Sequence, residues 1–492
     1  MNKLSLRIAI LYSLATGIIL FIPFLGRMHV FDTAESFFTG IVFKLHEHGG
    51  YLQVLQDNRE YWHFPPVFIW IQSFFASISG LDPFSLRLSG PVAGIITLIV
   101  IFRIGRRVQD EKFGFIWMLA YSGTVLPLLY FRSGLPYPWT NLFMMLAVTH
   151  FAYYFTFQEH RMRNLLLSAV FLGLAVLTTG PVLVLIIGVT FFSWLAMKRF
   201  MITVSFRDIV IYLVTFLIIG GSWFIFHLLV GNPEGIKELF NFQFGNLIHP
   251  VHSGKSFFLF PVLLMFAGLF PVSVFALPAL KGSIIESYRG KSFSLWMRVF
   301  FWVSLVFSVV TDRMANNYST ICFLPLSFLG AQMIYRIFQD KERFREYFRI
   351  LFLLIILIFS IIYIYISLIG SGILDSGIPG WIRNENYISI IQSGELWNGY
   401  ELLTLGSFLV LFMLGLFAFN DRRKGVVMIF ASTAFLVVTV MCLFSFKYEK
   451  LLNQTVEVVS LKAVEMNDVK SNPGNSFEPV YNIESDIQIT AN

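Results

Sequence analysis

Long apolar runs, separated by short polar and basic punctuation, dominate this chain of 492 residues. The runs fall at about 7–26, 67–80 continuing into 87–104, 113–130, 136–157, 164–178, 181–197, 209–230, 256–279, 298–312, 318–337, 349–369, 401–419 and 425–446. A bilayer-crossing helix needs roughly 20 apolar residues, so the pattern predicts an all-α polytopic membrane protein of about thirteen transmembrane helices. The 67–104 stretch is counted as one span with a lead-in helix. A polar segment at 27–66 separates the first two runs and closes on Tyr61-Trp62-His63-Phe64-Pro65-Pro66. Within it, Asp32-Thr33-Ala34-Glu35-Ser36 followed by Phe37-Phe38 and Ile41-Val42-Phe43 predicts an amphipathic helix lying in the membrane interface. Two domains follow: a transmembrane domain over 1–446 and a short polar tail over 447–492. Weak alternation in the tail allows two or three short strands, and a segment of that size builds no robust core alone.

Charge gives the arrangement a direction. Only 13% of residues are charged, against roughly 25% in soluble domains. With a cytoplasmic N-terminus, most of the 36 basic residues fall in alternate loops, among them Arg103, Arg106, Arg107, Lys198, Arg199, Lys281, Arg289 and Arg336. This is the positive-inside pattern. It explains the net charge of +7 and excludes a basic nucleic-acid face, which would cluster cations with interleaved aromatics. The loops 27–66, 231–255 and 370–400 and the tail are then extracytoplasmic. Gly and Pro punctuation marks the two later loops as turn-rich. The first run is followed by Pro23-Phe24-Leu25-Gly26-Arg27 rather than a small-residue cleavage site, so it reads as a retained helix. Cys322 and Cys442 fall inside predicted spans, which argues against a disulfide framework.

Water-side chemistry in so apolar a chain belongs to its loops and the mouth of its bundle. Asp32, at the start of the interfacial helix, is either a helix cap or a general base toward an acceptor hydroxyl or amine, with Glu35 as a second carboxylate. His63 is either an aromatic neighbour of Trp62 or a phosphate contact. Arg87, Arg132 and Arg313 lie at external span ends, where they either snorkel to headgroups or converge as an anion site. His249 and His252, with Glu60 or His63, could form a divalent-metal site, since imidazole and carboxylate suit zinc; the alternative is ordinary loop histidines.

The order of these features resembles the polyprenyl-phosphate-sugar-dependent glycosyltransferases of the GT-C fold. It is most similar to the protein O-mannosyltransferase-like family that includes the aminoarabinose transferase acting on lipid A. The likeness rests on Asp32 in a long first external loop, the aromatic-Pro-Pro entry, Arg87-Leu88, Phe131-Arg132, Thr179-Gly180-Pro181, Phe270-Pro271 and Arg313…Tyr318…Pro325, over about 7–340. Departures are Thr33 for a second acid, Phe64 for a lysine before Pro-Pro, Tyr137 near the place of a later acid, and Thr179 for the lysine of a Lys-Gly-Pro motif. The resemblance implies transfer of a hexosyl or pentosyl group, with inversion, from a polyprenyl-phosphate donor to an extracytoplasmic acceptor: protein, lipid A or a cell-envelope glycan. Asp32 would be base or acceptor-orienting carboxylate, and His63, Arg87, Arg132, Arg313 and Tyr318 would hold the donor phosphate. The sugar–phosphate bond supplies the energy, so no cofactor is required; no P-loop or Rossmann glycine pattern is present. The eukaryotic members' added soluble domain is not visible, which points to a bacterial inner membrane.

Two other readings compete. A lipid or solute transporter would want ionisable residues in mid-span and broken helices, whereas the charges here gather at span ends. A non-catalytic polyprenyl-lipid-binding relative would be consistent with the missing lysine and second acid.

Overall fold

Each apolar run of the sequence is largely helical over its described residues in the computed structural model. It describes residues 3–27, 33–49, 55–56, 59–60, 64–157, 160–202, 204–230, 233–248, 259–310, 319–341, 346–374, 388, 391, 397, 399–418 and 422–471. Helix α1 (Lys3–Thr16) continues through a π-helical turn, Gly17–Phe21. Helix α2 (Thr33–His48) covers the predicted amphipathic segment, and a hairpin of two-residue strands, β1 (Leu55–Gln56) with β2 (Arg59–Glu60), follows it. Along α2, Glu35, Phe38, Ile41, Val42 and Leu45 are buried, the spacing of one helical face. That face packs on α3 (Val67–Ser79), with the Phe38 and Phe68 rings 5.1 Å apart, edge to face. The result is a small apolar cluster beside the main core.

The 67–104 stretch divides as expected into a lead-in and a span. At 13 residues, α3 is too short to cross alone. Its end at Gly80 leads into α4 (Pro83–Arg87), capped by Asp82, whose Oδ1 accepts the Ser85 N–H at 2.7 Å. Helix α5 (Ser89–Val108) then carries the span. The next runs form α6 (Glu111–Ser122), α7 (Val125–Tyr130), α8 (Tyr137–Thr156), α9 (Arg161–Thr178) and α10 (Val182–Met197). Helices α11 (Phe206–Gly220) and α12 (Ser222–Val230) meet at a 61° bend. After α13 (Pro233–Ile248) come α14 (Leu259–Gly268), α15 (Val272–Lys281), α16 (Tyr288–Val310), a 3₁₀ turn at Thr320–Cys322, α17 (Phe323–Phe338), α18 (Glu346–Gly370), α19 (Tyr400–Phe417) and α20 (Arg422–Ser471).

Among the described residues, seven helices are long and apolar enough to cross a membrane, eight if the bent pair is one span, and four shorter apolar helices accompany them. The figure of about thirteen counts every apolar run, and several runs are short or split: 113–130 breaks between α6 and α7, and 256–279 breaks between α14 and α15. Helix α18 shows what surrounds the bundle. Ile350, Leu357, Ile358 and Ile361 are each more than half exposed, a surface suited to hydrocarbon rather than water.

Two expectations from local sequence change. The 231–255 segment is not turn throughout, because α13 fills most of it. Pro233 opens the helix, where its missing N–H costs nothing, Glu234 sits in the first turn, and buried Leu239 docks it on Val67, Leu177 and Trp223. The tail continues α20 as helix through Ser471, so 447–471 holds no strand. Leu461, Lys462, Ala463, Glu465 and Met466 are good helix formers, and a helix already nucleated in the last span propagates through them. The remainder of the tail, and most of 370–400, lie outside the described residues.

Candidate active site

The π turn, α2, α4 and the Phe131–Leu135 turn meet at one end of the bundle. Glu35 is in the first turn of α2, where the helix dipole favours a carboxylate, and it is 2% exposed. Its Oε1 accepts Arg87 Nε–H at 2.6 Å and the Gly134 backbone N–H at 2.7 Å, and its Oε2 accepts Arg87 Nη2–H at 3.3 Å. Arg87, the last residue of α4, also donates Nη1–H to the Leu25 carbonyl at 3.0 Å. This two-pronged guanidinium–carboxylate geometry is the strongest form of the pair.

Arg132 reaches the same stretch of chain from the other side. Fully buried, it donates Nη1–H to the Leu20 carbonyl at 2.7 Å and Nη2–H to the Pro23 carbonyl at 2.5 Å. The π turn places those carbonyls past the end of regular helix. Burial pushes the Arg132 guanidinium down to about 10, and the Arg87 charge adds to the fall, so it remains a cation at neutral pH. Arg87 and Arg132 therefore bracket residues 20–25 as a buried pair of cations, and neither snorkels outward.

Gln72 completes this polar knot and was not singled out from sequence. It is fully buried on α3 and donates to the carbonyls of Leu86 at 3.0 Å and Gly134 at 3.1 Å. A lone amide in the apolar run Val67–Phe75 was its signal, since such a group must find partners when buried. Two glycines allow the turn to approach. A β-carbon on Gly90 would lie 2.8 Å from the carbonyls of Phe131 and Ser133, and one on Gly134 would lie 3.0 Å from Glu35 Oε1.

A second polar layer sits at the start of α8 and end of α9. The Thr140 and Thr179 hydroxyls share a short hydrogen bond, Gln243 of α13 donates to the Thr179 carbonyl at 2.7 Å, and Thr320 donates to Asn141 Oδ1 at 3.1 Å. Gly180 has φ +142 and lies against the Gln243 amide. Beside this layer, Val67, Trp70, Phe74, Trp139 and Leu177 line an apolar groove of about 560 Å³. Helix α20 closes the site from behind: Phe446 meets Phe24 edge to face at 5.5 Å, and Lys447, lying over the Trp397 ring, pairs with buried Glu401.

The structure thus brings together Glu35, Arg87 and Arg132. Asp32, His63, Arg313, Tyr318, His249 and His252 lie outside the described residues, as does the side chain of Glu60. Asp32 directly precedes α2 in the chain, and Thr320 stands two residues beyond Tyr318. Among the described residues no group of three or more His, Cys, Asp or Glu could hold a metal ion, and the side chains of the four metal-ligand candidates are not among those described. Tyr137 is buried beside Tyr130. Phe270 packs on Phe352 and Phe412, deep in the core.

The helix bundle shares its fold with solved GT-C membrane proteins. ArnT from Cupriavidus metallidurans bound to undecaprenyl phosphate superposes with a TM-score of 0.67 at 15% identity, over 89% of this chain and 77% of that one. Its apo state gives 0.64 at 15% identity, over 89% and 76%. A weaker likeness, 0.45 at 14% identity over 78% and 59%, relates the chain to the apo form of the Archaeoglobus fulgidus oligosaccharyltransferase. Residues 63–224, which include Arg87, Gln72, Arg132 and Thr179-Gly180-Pro181, match the dolichyl-phosphate-mannose-protein mannosyltransferase family. No curated protein sequence matches the chain.

Proposed function

We propose that the protein transfers a sugar, with inversion, from a polyprenyl-phosphate donor to an acceptor on the extracytoplasmic face of a bacterial inner membrane. The observation that carries this reading is the buried pair of guanidinium groups, Arg87 and Arg132, held on residues 20–25 next to the helix that Asp32 introduces. The polyprenyl tail lies in the apolar groove between α3, α8 and α9, and the phosphate faces the arginine end. The acceptor oxygen or nitrogen attacks the anomeric carbon as the bond from that carbon to the phosphate oxygen breaks. The acceptor's proton passes to Asp32, and the polyprenyl phosphate leaves with its bonding electron pair. Charge grows on the phosphate during this step, and preorganised cations in a low-dielectric site stabilise it without reorganising. Arg313, His63 and Tyr318 complete the phosphate site in this scheme. Glu35 acts as a positioning residue through Arg87, because its described bonds go to Arg87 and the Gly134 N–H.

No cofactor enters the reaction so written. Binding of a divalent ion by Glu60, His63, His249 and His252 is a separate proposal, read by whether EDTA lowers turnover and zinc restores it.

One observation favours a non-catalytic polyprenyl-lipid-binding role instead. Phe64, at a position where related enzymes carry a lysine, packs its ring on Phe38 at 5.4 Å and Phe242 at 6.1 Å, and Thr179 turns its hydroxyl to Thr140. The deciding experiment is sugar transfer from polyprenyl-phosphate donors to envelope acceptors, wild type beside Asp32→Asn. Turnover by wild type that the variant lacks supports the enzyme; donor binding without turnover in either supports the binding role.

A further inference from the structure

A groove of about 470 Å³ runs between α10 and α16, apart from everything described above. Helix α10 leaves the candidate active site at Pro181, beside Thr179, and the groove lies along its second half, out to Met197. At 1.5 Å per residue, Met197 is roughly 24 Å from Pro181, so the groove opens toward the opposite end of the bundle. Its walls are Val189, Trp302, Val306 and Phe307, and the first three are more than 40% exposed. One end is cationic: Lys281 closes α15 and Arg298 projects from α16.

An apolar wall facing hydrocarbon asks for no partner, but a cation pair on that wall does. Among the described residues neither Lys281 nor Arg298 has an ion-pair partner, and the buried Nε–H of Arg298 has no acceptor. Lys198 and Arg199, which follow α10 directly, are exposed at the same end and add to the positive field. A cationic rim over an apolar slot between membrane helices is complementary to an anionic headgroup on an acyl chain, and the volume is within the range of small-molecule sites.

We propose that this groove is a binding site for an anionic diacyl phospholipid of the leaflet at the basic end of the bundle, with the phosphate on Lys281 and Arg298 and an acyl chain against Trp302 and Val306. The donor lipid is not the occupant, because its phosphate belongs at the far end, with Arg87 and Arg132.

The test uses the full-length protein purified in detergent and offered phosphatidylglycerol or phosphatidylcholine, with retained lipid counted by native mass spectrometry. Wild type is expected to prefer phosphatidylglycerol roughly thirtyfold, the factor for two cations near a headgroup. Lys281→Gln with Arg298→Gln is expected to bring the ratio close to one. Lys281→Arg with Arg298→Lys, which keeps both charges, is expected to retain the preference and controls for folding. Equal retention of the two lipids by wild type overturns the proposal, as does an unchanged ratio in the Gln variant or a lost one in the charge-preserving variant. Displacement of phosphatidylglycerol by equimolar undecaprenyl phosphate overturns the phospholipid assignment and makes the groove a second polyprenyl site.

Discussion

Glu35 and Arg87, 52 positions apart in the chain, form a two-pronged ion pair at 2.6 and 3.3 Å in which both residues are almost wholly buried, at 2% and 4% exposure. The pair joins the interfacial helix to the last turn before the second span. Removing one partner leaves an uncompensated buried charge, which costs about 3–5 kcal/mol. Glu35→Ala is therefore expected to lower the thermal unfolding midpoint of the detergent-solubilised protein sharply. The paired change Glu35→Gln with Arg87→Gln, which removes both charges, is expected to recover much of the loss. A double variant no more stable than Glu35→Ala would show that the pair does not hold these elements together.

Asp32→Asn is expected to lower sugar transfer by about 10²–10⁴, the usual range for loss of a general base, while leaving the unfolding midpoint unchanged. Near-normal turnover would reduce Asp32 to a helix cap.

Gly180→Ala tests the second polar layer. A β-carbon there would overlap the Gln243 amide, and φ +142 is a conformation that L side chains rarely adopt. The expected cost is about 1–3 kcal/mol. Adding Gln243→Ala removes the overlap but not the backbone strain, so it is expected to restore stability only in part. Full restoration would assign the whole cost to the clash.

The charge pattern predicts the membrane orientation. With a cytoplasmic N-terminus and about thirteen crossings, a reporter fused after Ser471 is expected to show extracytoplasmic activity. Cytoplasmic activity would mean that the count is off by one crossing, as it would be if the 67–104 stretch crossed twice.

Hydrophobicity is a property of each residue and its near neighbours, so the chain by itself determined where helices form, that they belong in a bilayer, and that α2 is amphipathic. Its spacing of Glu35, Phe38, Val42 and Leu45 is legible without any partner. Arg87, Arg132 and Thr179-Gly180-Pro181 were also visible as candidates, because an arginine or a Gly-Pro step interrupts an apolar run wherever it falls. Their partners were not visible. Arg132 bonds to Leu20 across 112 positions and Gln72 to Gly134 across 62, and no local pattern encodes which helix ends meet. Only the tertiary structure decided that Glu35 holds Arg87, that Gln72 belongs to the same knot, and that Leu239 docks a helix where turn residues suggested a loop. Each of those outcomes depends on a buried polar or apolar group finding its complement on another helix, and that choice is made by packing.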